Sequence, residues 1–570
     1  MTQPSQLAWW QRAVFYQIYP RSFADGNGDG IGDLPGAIAK LDYLADLGID
    51  AIWLSPHYPS PQFDCGYDIA DYTGVNPEYG TMDDFRLFLE GAHRRGIRVI
   101  LDLVLNHTSH QHPWFRESCA GRSAAKRDWY IWRDGRDGGP PNDWLSTFGG
   151  SAWEYDPSTG QYYYHYFFRQ QPDLNWRNPA VKQAMFDAVR FWLDMGVDGF
   201  RLDAIGTIYE DPAMPDHGTG LTLVDLQRKA MEAQTDEDKA AAGKRWLAVF
   251  GAQLDQPELH DLMRALRSVV DEYDDRILVG ETDDLAYCGT GSDELHMVFN
   301  FSLMRVDRLT PVHVRSNQAE RLAALPPGGW PCNTLGNHDS PRIHNRFGDG
   351  LHDDALARLS LALVLCLRGT PFLYNGEEIG MTDLLLEDPA DLRDLLGVWI
   401  YQTARDELGL PPEMAMYLAV TNSRDRNRTP MHWSSGPNGG FCPAAVKPWL
   451  PVHPNHAAGI NVADQQDHPG SLLNTYRAFL RFRRSAPALI AGDYAPLQVH
   501  DRDLLVFLRR TATQRCLVVL NYSAHPGRLQ ADPALPPSGR LLFGTHREAG
   551  TGLALPDLEI GPFECLIVEV

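Results

Sequence analysis

The sequence predicts an α/β fold, a (β/α)8 TIM barrel with an inserted small domain after strand 3 and a C-terminal antiparallel β-sandwich domain. Three observations carry that expectation. Short apolar runs alternate with amphipathic stretches, as in repeated βαβ units. Eight such runs can be counted. Polar residues with chemical potential gather at the ends of several of them, where a barrel of this kind collects its functional groups. At 570 residues the chain exceeds what one small core needs, so a large barrel with additions fits its length.

The runs are 13–20 (AVFYQIYP), 51–56 (AIWLSP), 98–106 (RVILDLVLN), 199–205 (GFRLDAI), 276–282 (RILVGET), 296–301 (HMVFNF), 332–338 (CNTLGNH) and 370–376 (TPFLYNG). Helices between them have recognisable ends. Asn178 before Pro179 reads as an N-cap followed by a first-turn proline; Val181, Met185, Val189, Phe191 and Trp192 form the apolar stripe, and Gly196 closes it. Thr81 with Asp84 opens a helix that ends at Gly96. The barrel is assigned to 1–106 and 176–492. Three stretches break the alternation: 107–175, rich in Trp, Tyr, Gly and Pro, is the inserted domain; 206–256 is a long polar excursion after strand 4, with helical LVDLQRKAMEAQ and AAAGKRWLAVF segments; 380–470 is an irregular insertion. From 493 to 570, short alternating strands such as LLVFLRR and RCLVVLNYS form the C-terminal domain.

A formal charge of −23 argues against nucleic acid or an anionic membrane surface as partner, since both repel an acidic protein. No stretch of about 18 apolar residues suggests a membrane span, and the start, MTQPSQLAWW, lacks the basic-then-apolar pattern of a leader. The eight cysteines are dispersed with no CxxC pair, which reads as reduced thiols and a cytoplasmic address. The sequence carries no signal for an oligomeric state.

Strand 3 carries Asp102 and ends in Asn106-His107; strand 4 carries Arg201 and Asp203; strand 5 ends in Glu281; strand 7 ends in Asn337-His338-Asp339. Residues two apart on a strand share a face, so Arg201 lies beside Asp203, where a guanidinium is expected to lower the carboxyl pKa and suit a nucleophile. Glu281 follows the apolar Ile277, Leu278 and Val279, and desolvation there is expected to raise its pKa, as an acid requires. Two carboxyls with opposite demands are what retaining glycoside hydrolysis uses, about 5–5.5 Å apart.

DLVLNH (102–107), GFRLDAI (199–205), GET (280–282) and NHD (337–339) resemble, in order, the four sequence regions of glycoside hydrolase family 13, the α-amylase superfamily. FYQIYPRSFADGNGDGIGDL, GGPPNDW (138–144), QPDLNW (171–176) and RTPMHW (428–433) are similar to its α-glucosidase and oligo-1,6-glucosidase branch, so the likeness spans nearly the whole chain. The resemblance implies that Asp203 is the nucleophile, Glu281 the general acid/base, and Asp339 a third carboxylate holding the 2- and 3-hydroxyls. It implies that Arg201, His107 and His338 line the pocket for a terminal glucose, that Asp64 holds its distal hydroxyls, that Tyr67 forms its platform and that Phe167 stands at the edge. An arginine of RDRNRTPMHW also touches that sugar in relatives; Arg428 is favoured, with Arg424 the alternative. His432, where the branch usually has Gln, is a small departure. Asp102 supports the site without touching sugar.

In DGNGDGIGD, oxygens at alternate positions (Asp25, Asn27, Asp29, the Ile31 carbonyl and Asp33) suit a hard cation, with Gly30 permitting the turn. The loop resembles the first part of an EF-hand but has Gly36 at the twelfth position; in related α-glucosidases it binds Ca²⁺ or Mg²⁺, so a structural ion is implied. No organic cofactor is expected. Ala204 follows the nucleophile, and the resemblance links Ala there to α-1,4 bonds, so maltose and short malto-oligosaccharides are the expected small-molecule partners, released from non-reducing ends, with transglycosylation alongside. The 206–256 excursion is expected to cover the subsites beyond the reacting bond. Trehalose synthase is the nearest rival; sucrose isomerase is less favoured because only RVDRL (305–309) stands where an RLDRD-type segment would lie. A non-catalytic transporter partner is disfavoured by the presence of all three acids.

Overall fold

A computed structural model of the protein describes residues 6–530 and 535–570. The first five residues, part of the stretch read as carrying no leader, lie outside that range. Eight parallel strands form the central sheet: β1 (Phe15–Ile18), β2 (Ala51–Leu54), β3 (Arg98–Val104), β4 (Gly199–Asp203), β5 (Ile277–Gly280), β6 (Met297–Val298), β7 (Cys332–Thr334) and β8 (Thr370–Tyr374). They neighbour one another in the order β7-β8-β1-β2-β3-β4-β5-β6, a nearly closed barrel. Each strand lies inside an expected run and is shorter, because the polar residues at the strand ends have left the ladder to form the site.

The ladder is interrupted between β6 and β7, and side chains bridge the gap. The buried Asn300, just past β6, donates through Nδ2 to Asn333 Oδ1 of β7 (3.1 Å) and to Asn317 Oδ1 (2.9 Å). Its own Oδ1 accepts from Asn317 Nδ2 (3.0 Å) and from the Leu303 N–H (3.2 Å). Four polar groups are thereby satisfied in a place where unpaired ones are costly.

The helix Pro179–Asp194 starts on Asn178, whose side chain accepts from Ala180 N, and it buries Val181, Met185, Val189 and Trp192, while Phe191 is half-buried. The helix Met82–Arg94 opens on a reciprocal Thr81–Asp84 capping box. Within 107–175, strands Trp132–Arg133, Trp153–Asp156 and Gln161–Tyr164 form a small antiparallel sheet. The excursion after β4 does hold two helices, Leu223–Glu232 and Asp236–Phe250. Leu223, Leu226, Val249 and Phe250 pack with Ile131, Trp144, Trp153 and Tyr164, joining the excursion to the inserted segment.

The expectation of an irregular 380–470 is corrected by two helices, Leu395–Asp406 and Pro412–Thr421. Their apolar residues run almost continuously (VWI, MAMYLAV), which hides a helical period. After 492, a six-stranded antiparallel sheet and a two-stranded one (Gly527–Leu529 with Leu558–Ile560) make an uneven sandwich. One face of the large sheet packs on the small one through Val506, Val519 and Leu529; the other, through Phe507, Val518 and Ile567, continues the barrel core. Among the described residues no helix is long and apolar enough to cross a membrane.

Asn300→Ala is expected to cost about 1–3 kcal/mol by taking the Asn300 donor from Asn333 Oδ1 and two hydrogen bonds from Asn317 at the barrel seam. Urea denaturation reads this as a lower midpoint; an unchanged midpoint would mean that the seam does not depend on the amide bridge.

Candidate active site

Strand register builds the centre of the site. Asp102 of β3 stands opposite Arg201 of β4, and the Glu281 N–H, just beyond β5, donates to Leu202 O (2.9 Å). Arg201 and Asp203 leave β4 on one face, as their spacing predicts. One buried guanidinium therefore meets three carboxylates: Nη1 lies 2.7 Å from both Asp102 Oδ1 and Asp203 Oδ1, and Nη2 lies 2.8 Å from Glu281 Oε2. Ala204, in a left-handed conformation (φ +39°), turns its N–H onto Glu281 Oε2 (2.8 Å).

Burial decides the protonation tendencies here. It pushes Asp102 up to about 6 despite Arg201. Asp203 also moves well above the ordinary carboxylate range: loss of solvent outweighs Arg201, and Glu281 and Asp102 add repulsion. The expected lowering by Arg201 is thus corrected, because that cation is divided among three acids. Glu281 does not sit in a dry apolar slot as its neighbours in sequence suggested. Its side chain is 20% exposed and accepts from both Arg201 and Ala204.

A second polar chain reaches the same place from β1 and β7. Gln17 Nε2 donates to His338 Nδ1 (2.7 Å), which leaves the ring proton on Nε2, 2.5 Å from Tyr67 OH; that hydroxyl donates on to Asp102 Oδ2 (3.0 Å). The Tyr67 and His338 rings are stacked, 5.4 Å apart at 7°. Burial holds His338 well below its usual pKa and His107 down at about 3, so both rings are neutral. Asp339 behaves oppositely to Asp203. Burial works to raise it, yet the Arg428 and Arg424 guanidinium groups beside it hold it below the usual range.

These groups face a cavity of about 470 Å³ lined by Asp64, Tyr67, His107, Phe167, Asp203, Glu281 and Asp339, with Phe148, Tyr166, Ala204, Asp255, Arg305 and Arg424 among the rest. Three expected pocket residues stand behind the lining. Arg201 and His338 are buried and act through the acids and Tyr67. Arg428 is fully buried, donates to Asp339 Oδ1 (2.5 Å) and His338 O (3.0 Å), and leaves the cavity wall to Arg424. The expectation favoured Arg428 as the arginine that touches the sugar; the cavity wall carries its stated alternative, Arg424. Asp102 is likewise buried and absent from the lining.

Arg424 closes one end of the cavity. Its Nη2 is 2.7 Å from Asp64 Oδ1 and 2.8 Å from Asp394 Oδ1, its Nε donates to Asp394 Oδ2 (2.8 Å), and the Phe148 ring lies over its guanidinium. Gln171 Nε2 donates to Asp64 Oδ2 (3.0 Å) and lies 2.9 Å from His107 Nε2. Sequence reasoning missed Asp394, Phe148 and Gln171 as site residues. Gln171 opens the quoted QPDLNW segment and was within reach; Asp394, in the stretch read as irregular, had no local signal.

None of residues 25–33 lines this cavity, and the loop is tied to itself. Both oxygens of Asp25 accept backbone N–H groups, from Gly28 (2.6 Å) and Gly30 (2.8 Å). Asp33 accepts from Gly26, Asn27 and Gly36, capping the helix Leu34–Ala39. Asn27 Oδ1 accepts from Asp29 N and Asp29 Oδ1 from Ile31 N, each 2.9 Å. The loop's shape is therefore held by Asx turns, and among the described residues no three His, Cys, Asp or Glu side chains converge on a metal position. Asp33 Oδ1 accepts two of these bonds, from Gly26 and Gly36, while Asp33 Oδ2 and the Asp25, Asn27 and Asp29 side chains keep lone pairs to spare.

The family described as alpha amylase, catalytic domain, matches residues 17–492. An oligo-1,6-glucosidase of Parageobacillus thermoglucosidasius is 37% identical over 99% of each chain. A probable alpha-glucosidase of Rhizobium meliloti is 42% identical over 90% of this chain and 89% of its own. Among solved structures, the trehalulose synthase of Pseudomonas mesoacidophila matches with a TM-score of 0.87 at 36% identity, over 99% of each chain. An isomaltulose synthase of Erwinia rhapontici, with sucrose bound, gives 0.86 at 36% identity over 99% of each chain. With that family match across the barrel, full-length relatives of this kind and the acids gathered in one cavity, the chain belongs to the α-amylase family, glycoside hydrolase family 13, in its α-glucosidase branch, and is a glycoside hydrolase.

Proposed function

We propose that the protein is an exo-acting, retaining α-glucosidase that removes α-glucose from the non-reducing end of short α-glucosides, with α-1,4 bonds preferred. The observation that carries this reading is the sharing of one Arg201 guanidinium by Asp203 and Glu281, both of which line one cavity. Two carboxylates held within a guanidinium's span suit double displacement, which works at about 5–5.5 Å. Asp203 attacks the anomeric carbon while Glu281 gives its proton to the glycosidic oxygen, and the leaving sugar departs. Glu281 then takes a proton from water, whose oxygen displaces Asp203 and restores the α-configuration. Asp339, Asp64 and Arg424 hold the hydroxyls of the cleaved glucose against Tyr67 and His107, with Phe167 at the edge. The Asp64–Arg424 pair blocks longer chains at that end, which supports action on chain ends. Free thiols at all eight cysteines support a cytoplasmic setting.

A second reading has the covalent intermediate captured by a sugar instead of water, giving transglycosylation or isomerisation. The named activities of the matching solved structures, trehalulose and isomaltulose synthases, favour keeping it. Arg305, from the RVDRL segment, also lines the cavity.

Asp203→Asn is expected to lose about 10³-fold or more in kcat. In the unaltered enzyme, Asp203 must be charged to attack, and its pKa is raised, so kcat/KM should fall as the pH drops through a limb above about 4, the ordinary carboxylate value. Chromatography of products decides between the readings: from maltose, glucose alone marks hydrolysis, trisaccharides transfer and trehalose isomerisation; from sucrose, a sucrose isomer marks isomerisation. An active Asp203→Asn would remove the proposed nucleophile.

Ala204 lines the cavity beside Glu281, and its side chain is the smallest that can read the linkage there. Ala204→Val should lower the maltose-to-isomaltose ratio of kcat/KM by about 10-fold, the scale of added methyl groups in a pocket. A ratio that does not move would separate Ala204 from linkage choice.

The ion proposed for the 25–33 loop, Ca²⁺ or Mg²⁺, would use the second lone pairs of Asp25, Asn27, Asp29 and Asp33 with the Ile31 carbonyl. Elemental analysis should find about one equivalent, and chelation should lower the unfolding temperature by several degrees. Protein without the ion that unfolds at the same temperature after calcium is added would defeat the proposal.

A further inference from the structure

The residues around the cavity fall into two groups. Asp64, Arg424, Asp339, Tyr67 and His107 are tied together through His338 and Gln171, and the glucosidase reading gives them to the glucose that is cleaved off. The Ala204 N–H holds Glu281, which on that reading protonates the oxygen between the two sugars, and Gly206, Thr207, Asp255 and Thr282 line the same cavity, which gives this part of the wall to the sugar that leaves.

Asp255 differs from every other carboxylate in this lining. Asp203 and Glu281 meet Arg201, Asp64 meets Arg424, Asp339 meets Arg428, and Asp283 pairs with Arg321 at 2.8 Å. Among the described residues no arginine, lysine or histidine pairs with Asp255. Its Oδ1 accepts from Tyr287 OH (3.1 Å), and its Oδ2 receives no hydrogen bond, in a side chain open to solvent.

The backbone holds Asp255 there against its own preference. It adopts φ +51°, a left-handed conformation that few residues other than glycine occupy. Its N–H donates to Gly206 O (2.7 Å), two positions past Ala204. A Cβ at Gly206 would come within 2.7 Å of Asp255 Oδ1, so the absence of a side chain at 206 makes room for the carboxylate. The approach is clamped as well: the Asp211 N–H donates to Ala252 O (2.7 Å), and the buried Gln253 accepts from Tyr164 OH (2.9 Å) of the inserted segment. The long excursion after β4 thus ends by delivering one uncompensated carboxylate to the cavity.

We propose that Asp255 recognises the leaving sugar, its Oδ2 accepting hydrogen bonds from hydroxyls of a second glucose-like unit. The inference rests on the glucosidase reading and adds to it the part of the substrate that the excursion reads. An aryl leaving group without hydroxyls makes no use of such an acceptor.

The test is the ratio of kcat/KM for maltose to kcat/KM for 4-nitrophenyl α-glucoside, which does not depend on the fraction of correctly folded enzyme. Asp255→Ala should lower that ratio about 10- to 100-fold, the range for a hydrogen bond to a charged group. Asp255→Asn, which keeps an acceptor oxygen, should lower it less. A ratio unchanged in Asp255→Ala, from equal losses on both substrates or from none, overturns the role of Asp255 and leaves the glucosidase reading standing. Failure of the unaltered protein to cleave either substrate overturns the glucosidase reading itself, and this inference with it.

Discussion

The site depends on one buried guanidinium. Arg201 is 1% exposed and touches Asp102, Asp203 and Glu281, leaving the local charge negative. Such an excess is costly in a protein interior, and removing the cation would leave its acids uncompensated. The same excess has a use. The transition state of glycoside cleavage carries positive charge on the sugar ring, and carboxylates fixed in place stabilise it without reorganising. The raised tendencies of Asp102 and Asp203 to hold a proton are the free enzyme's side of that bargain.

Strand register makes the arrangement reproducible. Asp102 and Arg201 are ladder partners, and Glu281 is tied to Leu202 at the next strand. A slip of one residue between β3 and β4 would turn Asp102 or the Arg201–Asp203 pair to the wrong face. The outer acids are held differently, by loops. Asp339 sits below Arg428 and Arg424, and Asp394 fixes Arg424 from a helix N-terminus, so opposite shifts of Asp203 and Asp339 follow from the number of cations each acid commands.

Much of this was legible in the sequence for local reasons. All eight strands lie within apolar runs, the Asn178 and Thr81 caps are short-range signals, and Arg201 and Asp203 are two residues apart. Longer-range facts were not legible. The sharing of Arg201 by three acids depends on which strands are neighbours, and it reversed the expected shift of Asp203. The choice between Arg424 and Arg428 turns on which side of Asp339 each approaches. The helices in 380–470 were hidden because apolar residues on several faces erase the period that reveals an amphipathic helix.

The division of the cavity explains how similar barrels can carry different named activities. In the proposed reading the cleaved glucose faces strand ends and loops anchored to them, where changes would disturb the shared Arg201 cluster. In the proposed reading the leaving sugar faces Gly206, Thr207 and the end of an excursion whose helices pack on the inserted segment. That outer wall can change without altering barrel register, and loops on a fixed scaffold are where specificity is free to vary. Relatives named for hydrolysis and solved structures named for sucrose isomerisation match this chain at similar identity, 37% and 36%. A double-displacement centre of the proposed kind would serve both outcomes, because its covalent intermediate accepts whichever oxygen the outer wall presents to it, from water or from sugar.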